Sequence, residues 1–342
     1  MFVIRQAMPD DVPTLLKLAR MVHFINLPAD KDIIASKVSR SRRSFAGEVA
    51  DDRQRQFMFV LEDSETGGVI GTSSLICRIG WEGWPQIFLQ VRRREHFSRD
   101  LNTGAVHMTI QVMTDETGPS ELGGLILAPG YRGHREKLGS LLSLVRFHFL
   151  GLHRGMFQDR ILAELMGPLT PDSQTLFWEF FGRRFINLSY TEADAFCQHS
   201  KEFMTSLLPK EEIYASTLPP EARNLIGKVG EETRPARSML EKQGFAYHDR
   251  CDPFDGGPYL EAAVDKVPLV AATCQATLVA GGEHLDRIGF VSCAAHRGLG
   301  FRATRAAYAL DGKRVHLAPA VADAIGAAVG DAVGVTALEP GA

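Results

Sequence analysis

Residues 122–150, LGGLILAPGYRGHREKLGSLLSLVRFHFL, decide the fold. An apolar run reads as a strand, Pro129-Gly130 as a turn, the residues up to Gly139 as a basic loop carrying two glycines, and the remainder as a long apolar helix. At such a helix start the first backbone N–H groups have no intrahelical acceptor and the dipole adds positive potential. The unit therefore suits an anion, above all a diphosphate. The plainer alternative is an ordinary strand-turn-helix with a basic loop.

Working outward, residues 2–5 read as a strand, and Asp10-Asp11 as the cap of a helix with Pro13 in its first turn and Leu15, Leu16, Leu18 and Met21 on its apolar side. Residues 37–48 are basic and polar, so a helix there is expected to lie on the surface. Residues 56–61 and 69–79 form a hairpin about the turn 63–68. Residues 81–102 read as irregular, with Arg92-Arg93-Arg94 a solvated face. Strands are expected at 106–113 and 160–167, a capped amphipathic helix at 172–182 and a strand at 184–189. A helix end, a glycine and an aromatic-bearing strand recur as FWEFFGRRF and MLEKQGFAY, with a further strand at 225–229 and a helix at 235–243. This suggests a duplicated half-domain. From Val267 the texture turns to alanine, valine and glycine, which suggests a small C-terminal β module.

The chain has 342 residues, 45% hydrophobic and 23% charged, with a formal charge of −3. It is long enough for more than one compact domain, and its charge argues against bulk phosphate neutralisation, so no nucleic-acid partner is expected. Five scattered cysteines show no C-x-x-C spacing, hence no metal site and no disulfide framework are expected. The acidic pair near the N-terminus and the lack of an apolar run of about 18 residues point away from a signal peptide or a membrane span and toward the cytoplasm.

The spacing P-G-Y-R-G-x-x-x-x-x-G-S-L-L at 129–142 resembles the pyrophosphate loop of the GCN5-related N-acyltransferases, which bind acyl-coenzyme A. Coenzyme A needs donors for its diphosphate, a strand edge for its pantetheine amides and a polarising N–H at the thioester carbonyl. Residues 123–127, with Leu125 and Leu127, offer the edge. Arg132, Gly133, His134, Arg135, Lys137, Gly139 and Ser140 offer the phosphate end. The resemblance implies an α/β fold with a mixed twisted sheet, and acyl-CoA as cosubstrate with no tightly bound cofactor.

The segments VLEDSETG (60–67), TGPSELGGLIL (117–127), GSLLSLVRF (139–147), LFWEFFGRRF (176–185), TEADAF (191–196), EEIYASTLPPEARNLIGKV (211–229), PARSMLEKQGFAY (235–247) and FDGGPYLEA (254–262) are similar to the bacterial arginine N-succinyltransferases. Those enzymes transfer succinyl from succinyl-CoA to the α-amine of arginine in arginine catabolism. The likeness covers about residues 1–265 and implies arginine or ornithine as the small-molecule amine and a homo- or hetero-oligomer. The expected organisation is a core at 1–190, a second half-domain at 191–265 and the β module at 266–342.

Carried over by position, the family's succinyl-CoA contact falls on Leu125. Its proton-donor histidine falls on Gly230, and a strand-end arginine falls on Met166. The turn after the first helix is shortened at 22–26, and the phosphate loop is two residues longer. Glu231 and Glu232 flank the vacant histidine position as candidate catalytic bases, with solvated loop carboxylates as the plainer reading. Glu121 is a candidate base or a structural carboxylate. Asp255 and Glu261 are candidate amine contacts, a turn being the alternative for Asp255. A divergent acyltransferase with another acyl group or amine, or a non-catalytic CoA-binding relative, stays open beside arginine succinylation.

Overall fold

The computed structural model describes residues 1–21, 27–170, 172, 174–281, 284–294 and 300–338. The shortened turn expected at 22–26 lies outside the described residues. In chain order the elements are β1 (Phe2–Gln6), α1 (Val12–Met21), α2 (Lys31–Phe45), β2 (Gln56–Asp63), β3 (Gly68–Ile76), β4 (Gln86–Ser98), β5 (Thr103–Asp115), β6 (Ser120–Leu127), α3 (Leu138–Leu152) and β7 (Arg160–Glu164). There follow α4 (Leu176–Phe180), α5 (Gly182–Phe185), α6 (Tyr190–Cys197), α7 (Glu202–Leu207), β8 (Ile213–Tyr214), α8 (Pro220–Arg223), α9 (Arg234–Lys242), β9 (Ala246–Cys251), β10 (Pro258–Ala263) and α10 (Pro268–Ala271). The chain closes with β11 (Thr273–Leu278), β12 (Arg287–Cys293), β13 (Arg302–Asp311), β14 (Arg314–Leu317), α11 (Pro319–Ile325) and β15 (Ala332–Ala337). Among the described residues no helix is long and apolar enough to cross a membrane.

Two compact units result: residues 1–78, 120–161 and 263–342 form the first, residues 79–119 and 162–262 the second. The boundaries expected at 190/191 and 265/266 do not coincide with this division. After Val267 the strands pair mainly with one another, and the link back to the start of the chain is through β13. β13 pairs with β1 through Ile4↔Ala303 and Arg5↔Arg302, and Thr304 Oγ1 donates to Phe2 O at 2.8 Å.

Within the first unit the strand order is β12-β15-β11-β14-β13-β1-β2-β3-β6. A further pairing of β12 with β13 closes the five C-terminal strands into a ring. The ring packs around Val291, Tyr308, Val315, Val333 and Val335, with Val321 and Ile325 of α11 in the same core. The β2–β3 hairpin forms as expected. Helix α2 begins earlier than expected because the Asp30 side chain accepts from the N–H groups of Asp32 and Ile33, and it buries Ile34 and Val38 rather than lying on the surface. In α1, Leu15 and Leu18 are buried while Met21 is exposed.

Helix α3 is mostly apolar and is buried from Leu141 to Leu150. Phe149 packs its ring 4.6–5.4 Å from the rings of Phe45, Phe57, Phe59 and Phe301. One turn face is polar. His148 lies 2.6 Å from Thr336 Oγ1 through Nδ1 and 2.7 Å from Ser292 Oγ through Nε2, and Thr336 Oγ1 also meets Thr273 Oγ1 at 2.6 Å. Burial, reinforced by His153, pulls the His148 pKa down to about 3, so the imidazole is neutral.

In the second unit the antiparallel order is β10-β9-β4-β5-β8. The stretch 81–102 is not irregular throughout: its residues 86–98 form β4, which pairs with β5 over thirteen rungs, from Gln86↔Asp115 to Ser98↔Thr103. β9 bonds to β4 only at Leu89 and Gln90, and β8 bonds to β5 only at Thr109 and Ile110, so the outer half of the hairpin is a two-stranded arm. Of the two similar endings, the second has its helix and strand, α9 and β9. The first has α4 and α5 and no strand over 184–189. Trp178 stacks on Phe254 at 4.7 Å and donates Nε1–H to Leu188 O, which commits that segment to a turn. Residues 225–229 form a turn as well.

Candidate active site

The decisive strand carries a feature that sequence reading missed. β3 and β6 register as Thr72↔Ile126 and Ser74↔Gly123, so Gly124 and Leu125 together face Ser73. This is a β-bulge, and Gly124 supplies its positive φ of 58°. A bulge leaves one residue outside the ladder, so the backbone of this pair departs from regular pairing with β3 at the middle of β6. A Gly-Gly step inside an apolar strand was the available signal.

Helix α3 is held against the β3–β6 pair. Ser73 Oγ donates to Leu142 O at 2.9 Å. Gly71 has no side chain where a Cβ would stand 2.8 Å from Ile126 O and 2.9 Å from Leu142 Cδ2. Arg146 of α3 is fully buried. It donates from Nε to Ser143 O at 2.9 Å, from Nη2 to Ser143 Oγ at 2.6 Å, and from Nη1 to Gly123 O at 3.4 Å, next to the bulge. Burial lowers its pKa to about 9, and the guanidinium stays charged at neutral pH.

Between strand and helix the loop is built from short turns: Tyr131 N–H to Ala128 O at 2.9 Å, Arg132 N–H to Pro129 O at 3.1 Å, and Lys137 N–H to His134 O at 2.8 Å. Lys137 takes the left-handed conformation before α3 and gives it no side-chain cap. The first bond into the helix is Leu141 N–H to Lys137 O at 3.0 Å, so the N–H groups of Leu138, Gly139 and Ser140 have no acceptor within the helix. Arg132, Gly133 and Arg135 are exposed around them. His134 shapes the loop instead, because its Nδ1 accepts the Glu136 N–H at 3.2 Å and its ring lies edge-on to Phe2 at 5.2 Å. Leu125 and Leu127 are half-buried along β6, and Glu121 is buried at its start, opposite Ile76. Glu121, Leu125, Leu127 and residues 132–140 thus share one unit and one strand-loop-helix.

The remaining sequence candidates lie in the second unit. Asp255 accepts from Gly257 N–H at 2.7 Å through Oδ1 and from Gly167 N–H at 2.9 Å through Oδ2. Both oxygens therefore hold the turn, as in the plainer reading. Burial and the neighbouring Asp252 push its pKa up. Glu261 faces Arg250 at 3.7 Å. Gly230 donates its N–H to Met166 O at 3.1 Å, which brings together the two positions onto which the resemblance carries a histidine and an arginine. Glu231 is exposed and lies 3.6 Å from Arg234; Glu232 is exposed beside it. Two other cations of this unit are committed elsewhere: Arg94 to Glu212 at 2.6 Å and Arg183 to Glu179 at 2.8 Å. Among the described residues no group of three or more His, Cys, Asp or Glu side chains is placed to hold a metal ion.

Comparisons with known proteins identify a family. Residues 2–269 match the family model described as arginine N-succinyltransferase beta subunit. The chain is similar to arginine N-succinyltransferase of Enterobacter sp. (strain 638), 36% identical over 284 residues, covering 82% of this chain and 81% of that protein. It is 37% identical over 273 residues to arginine N-succinyltransferase of Shigella dysenteriae serotype 1, covering 79% and 78%. The solved arginine/ornithine succinyltransferase subunit AI from Pseudomonas aeruginosa superposes over 99% of both chains with a TM-score of 0.82 at 27% identity.

Proposed function

The chain belongs to the arginine N-succinyltransferase family, and from that membership we propose that it is an acyl-CoA-dependent N-acyltransferase that moves succinyl from succinyl-CoA to the α-amine of arginine, or of ornithine. The bulge at Gly124–Leu125 is the observation that supports this reading most, because acyl transfer needs a fixed donor at the thioester oxygen. In this scheme the diphosphate sits on the N–H groups of Leu138, Gly139 and Ser140 with Arg132 and Arg135 beside it, and the pantetheine runs along β6 by Leu125 and Leu127. The neutral amine attacks the thioester carbon, a C–N bond forms, and a backbone N–H at the bulge holds the oxyanion. Collapse breaks the C–S bond. The thiolate leaves and takes up the proton shed by the amine, relayed through water or through Glu121.

Gly230 and Met166 favour a second reading, in which the donor or the amine differs. A buried succinyl carboxylate without a cation costs several kcal/mol, and Met166 offers none. The test is thiol release with succinyl-, acetyl- and propionyl-CoA at equal concentration against arginine, ornithine and other amines. Preference for succinyl-CoA and arginine supports the first reading, and preference for another pair supports the second. A folded chain that binds CoA yet releases no thiol with any pair overturns both.

A further inference from the structure

The outer half of the β4–β5 arm carries an apolar face that is left exposed among the described residues. Residues directly opposite in an antiparallel ladder share a face. Arg93↔Met108, Glu95↔Val106 and Phe97↔Gly104 are such pairs, so these side chains stand together. Val106 is 63% exposed, Phe97 65%, and Leu101 in the turn 76%. The opposite face is occupied: Arg94 pairs with Glu212, Arg92 donates to Gln111 Oε1 at 2.7 Å, and Tyr214 meets His96. Long two-stranded ribbons are marginal alone, and contiguous exposed apolar residues on one are a docking signature.

We propose that this face is a self-docking surface, at which two copies of the chain pair about a two-fold axis with Arg93 of each against Glu95 of the other and Met108 of each against Val106 of the other. The charge pattern selects a second copy as the occupant. The face bears one cation and one anion on successive rungs, so it is neutral as a whole. A two-fold axis across the strands reverses the order of the rungs, which places each charge over its opposite and leaves the apolar positions facing each other. A partner of one sign would satisfy one of the two charges and repel the other. A strip two strands wide is narrower than a standard interface, so self-association in the micromolar range is expected.

The test is sedimentation velocity of the full chain over a concentration series spanning the micromolar range. The natural chain is expected to shift from monomer to dimer. Arg93→Glu should weaken association about a hundredfold by setting like charges against each other, and the double swap Arg93→Glu with Glu95→Arg should restore it. Phe97→Glu with Val106→Lys should give a monomer with an unchanged melting temperature in dilute solution, as both positions are exposed. A natural chain that stays monomeric throughout, or a dimer indifferent to both the charge reversal and the apolar substitutions, overturns the proposal. The outcome is independent of thiol release, so it separates from the acyl-transfer reading.

Discussion

Replacing His148 with Gln should remove a loss of stability that the natural chain suffers on acidification. The folded pKa of His148 is about 3 against 6.5 for a free imidazole, because burial and His153 disfavour the charged ring. Between these values the unfolded chain binds one proton more than the folded chain. Stability is therefore complete above about pH 6.5 and falls as the pH drops, by about 1.4 kcal/mol per unit until about pH 3. From pH 7 to pH 5 this single residue contributes a loss of about 2 kcal/mol. Urea unfolding followed by far-ultraviolet circular dichroism at pH 7, 6 and 5 reads it. The natural chain should lose about 2 kcal/mol more over that interval than the His148→Gln chain, whose neutral amide does not titrate. Tryptophan fluorescence provides an internal control, as Trp81, Trp84 and Trp178 all lie in the second unit. His153 is also lowered by burial, but it remains in both proteins and cancels in the difference. Identical pH dependence in the two proteins would refute the reasoning.

Four further outcomes are expected. Arg132→Glu with Arg135→Glu should weaken CoA binding about tenfold or more in calorimetry, and unchanged affinity in a folded protein would remove the phosphate reading of the loop. Gly124→Ala forces a side chain into a φ of 58° with its Cβ 3.2 Å from Ser74 Oγ; relaxation of the bulge should lower kcat about a hundredfold while CoA affinity stays near its natural value. At Gly230 the backbone is extended (φ −60°, ψ 156°) and a Cβ would stand 3.2 Å from Gly167 O, so Gly230→His fits after a small adjustment; it should raise turnover on the true amine, within the factor of about a hundred to ten thousand typical of a general acid. Phe149→Ala, which removes the ring between Phe45, Phe57, Phe59 and Phe301, should cost about 3–5 kcal/mol in urea unfolding.

What was legible in the sequence was what is local. The strand-loop-helix at 120–152 is contiguous, and its glycines, basic residues and apolar helix announce it without help from the rest of the chain. The β2–β3 hairpin is equally local. The long β4–β5 hairpin escaped because Arg92, Arg93, Arg94 and Glu95 interrupt any apolar alternation, and the arm is solvated over its outer half. Asp30 escaped as a cap because the hydrophobic periodicity after it is sparse. His148 gives no signal in the sequence because its partners Ser292 and Thr336 stand 144 and 188 residues away. At the candidate site, residue types pointed to the basic loop, but the bulge depends on a register between strands and the buried Arg146 on a helix-strand contact. Asp255 shows the reverse: a carboxylate that sequence reading offered for an amine has both oxygens on backbone N–H groups.

The pairing of β1 with β13 has a consequence for biosynthesis. Ile4 leaves the ribosome early, and its partner Ala303 is made almost 300 residues later. At about 5–20 residues per second the first strand waits about 15–60 s with that edge unclaimed. The five-stranded ring is made after β1 to β10, so the first unit completes only once β15 has been translated. Truncation before β13 is therefore expected to strand the nascent first sheet with an open edge, ready to pair with another chain.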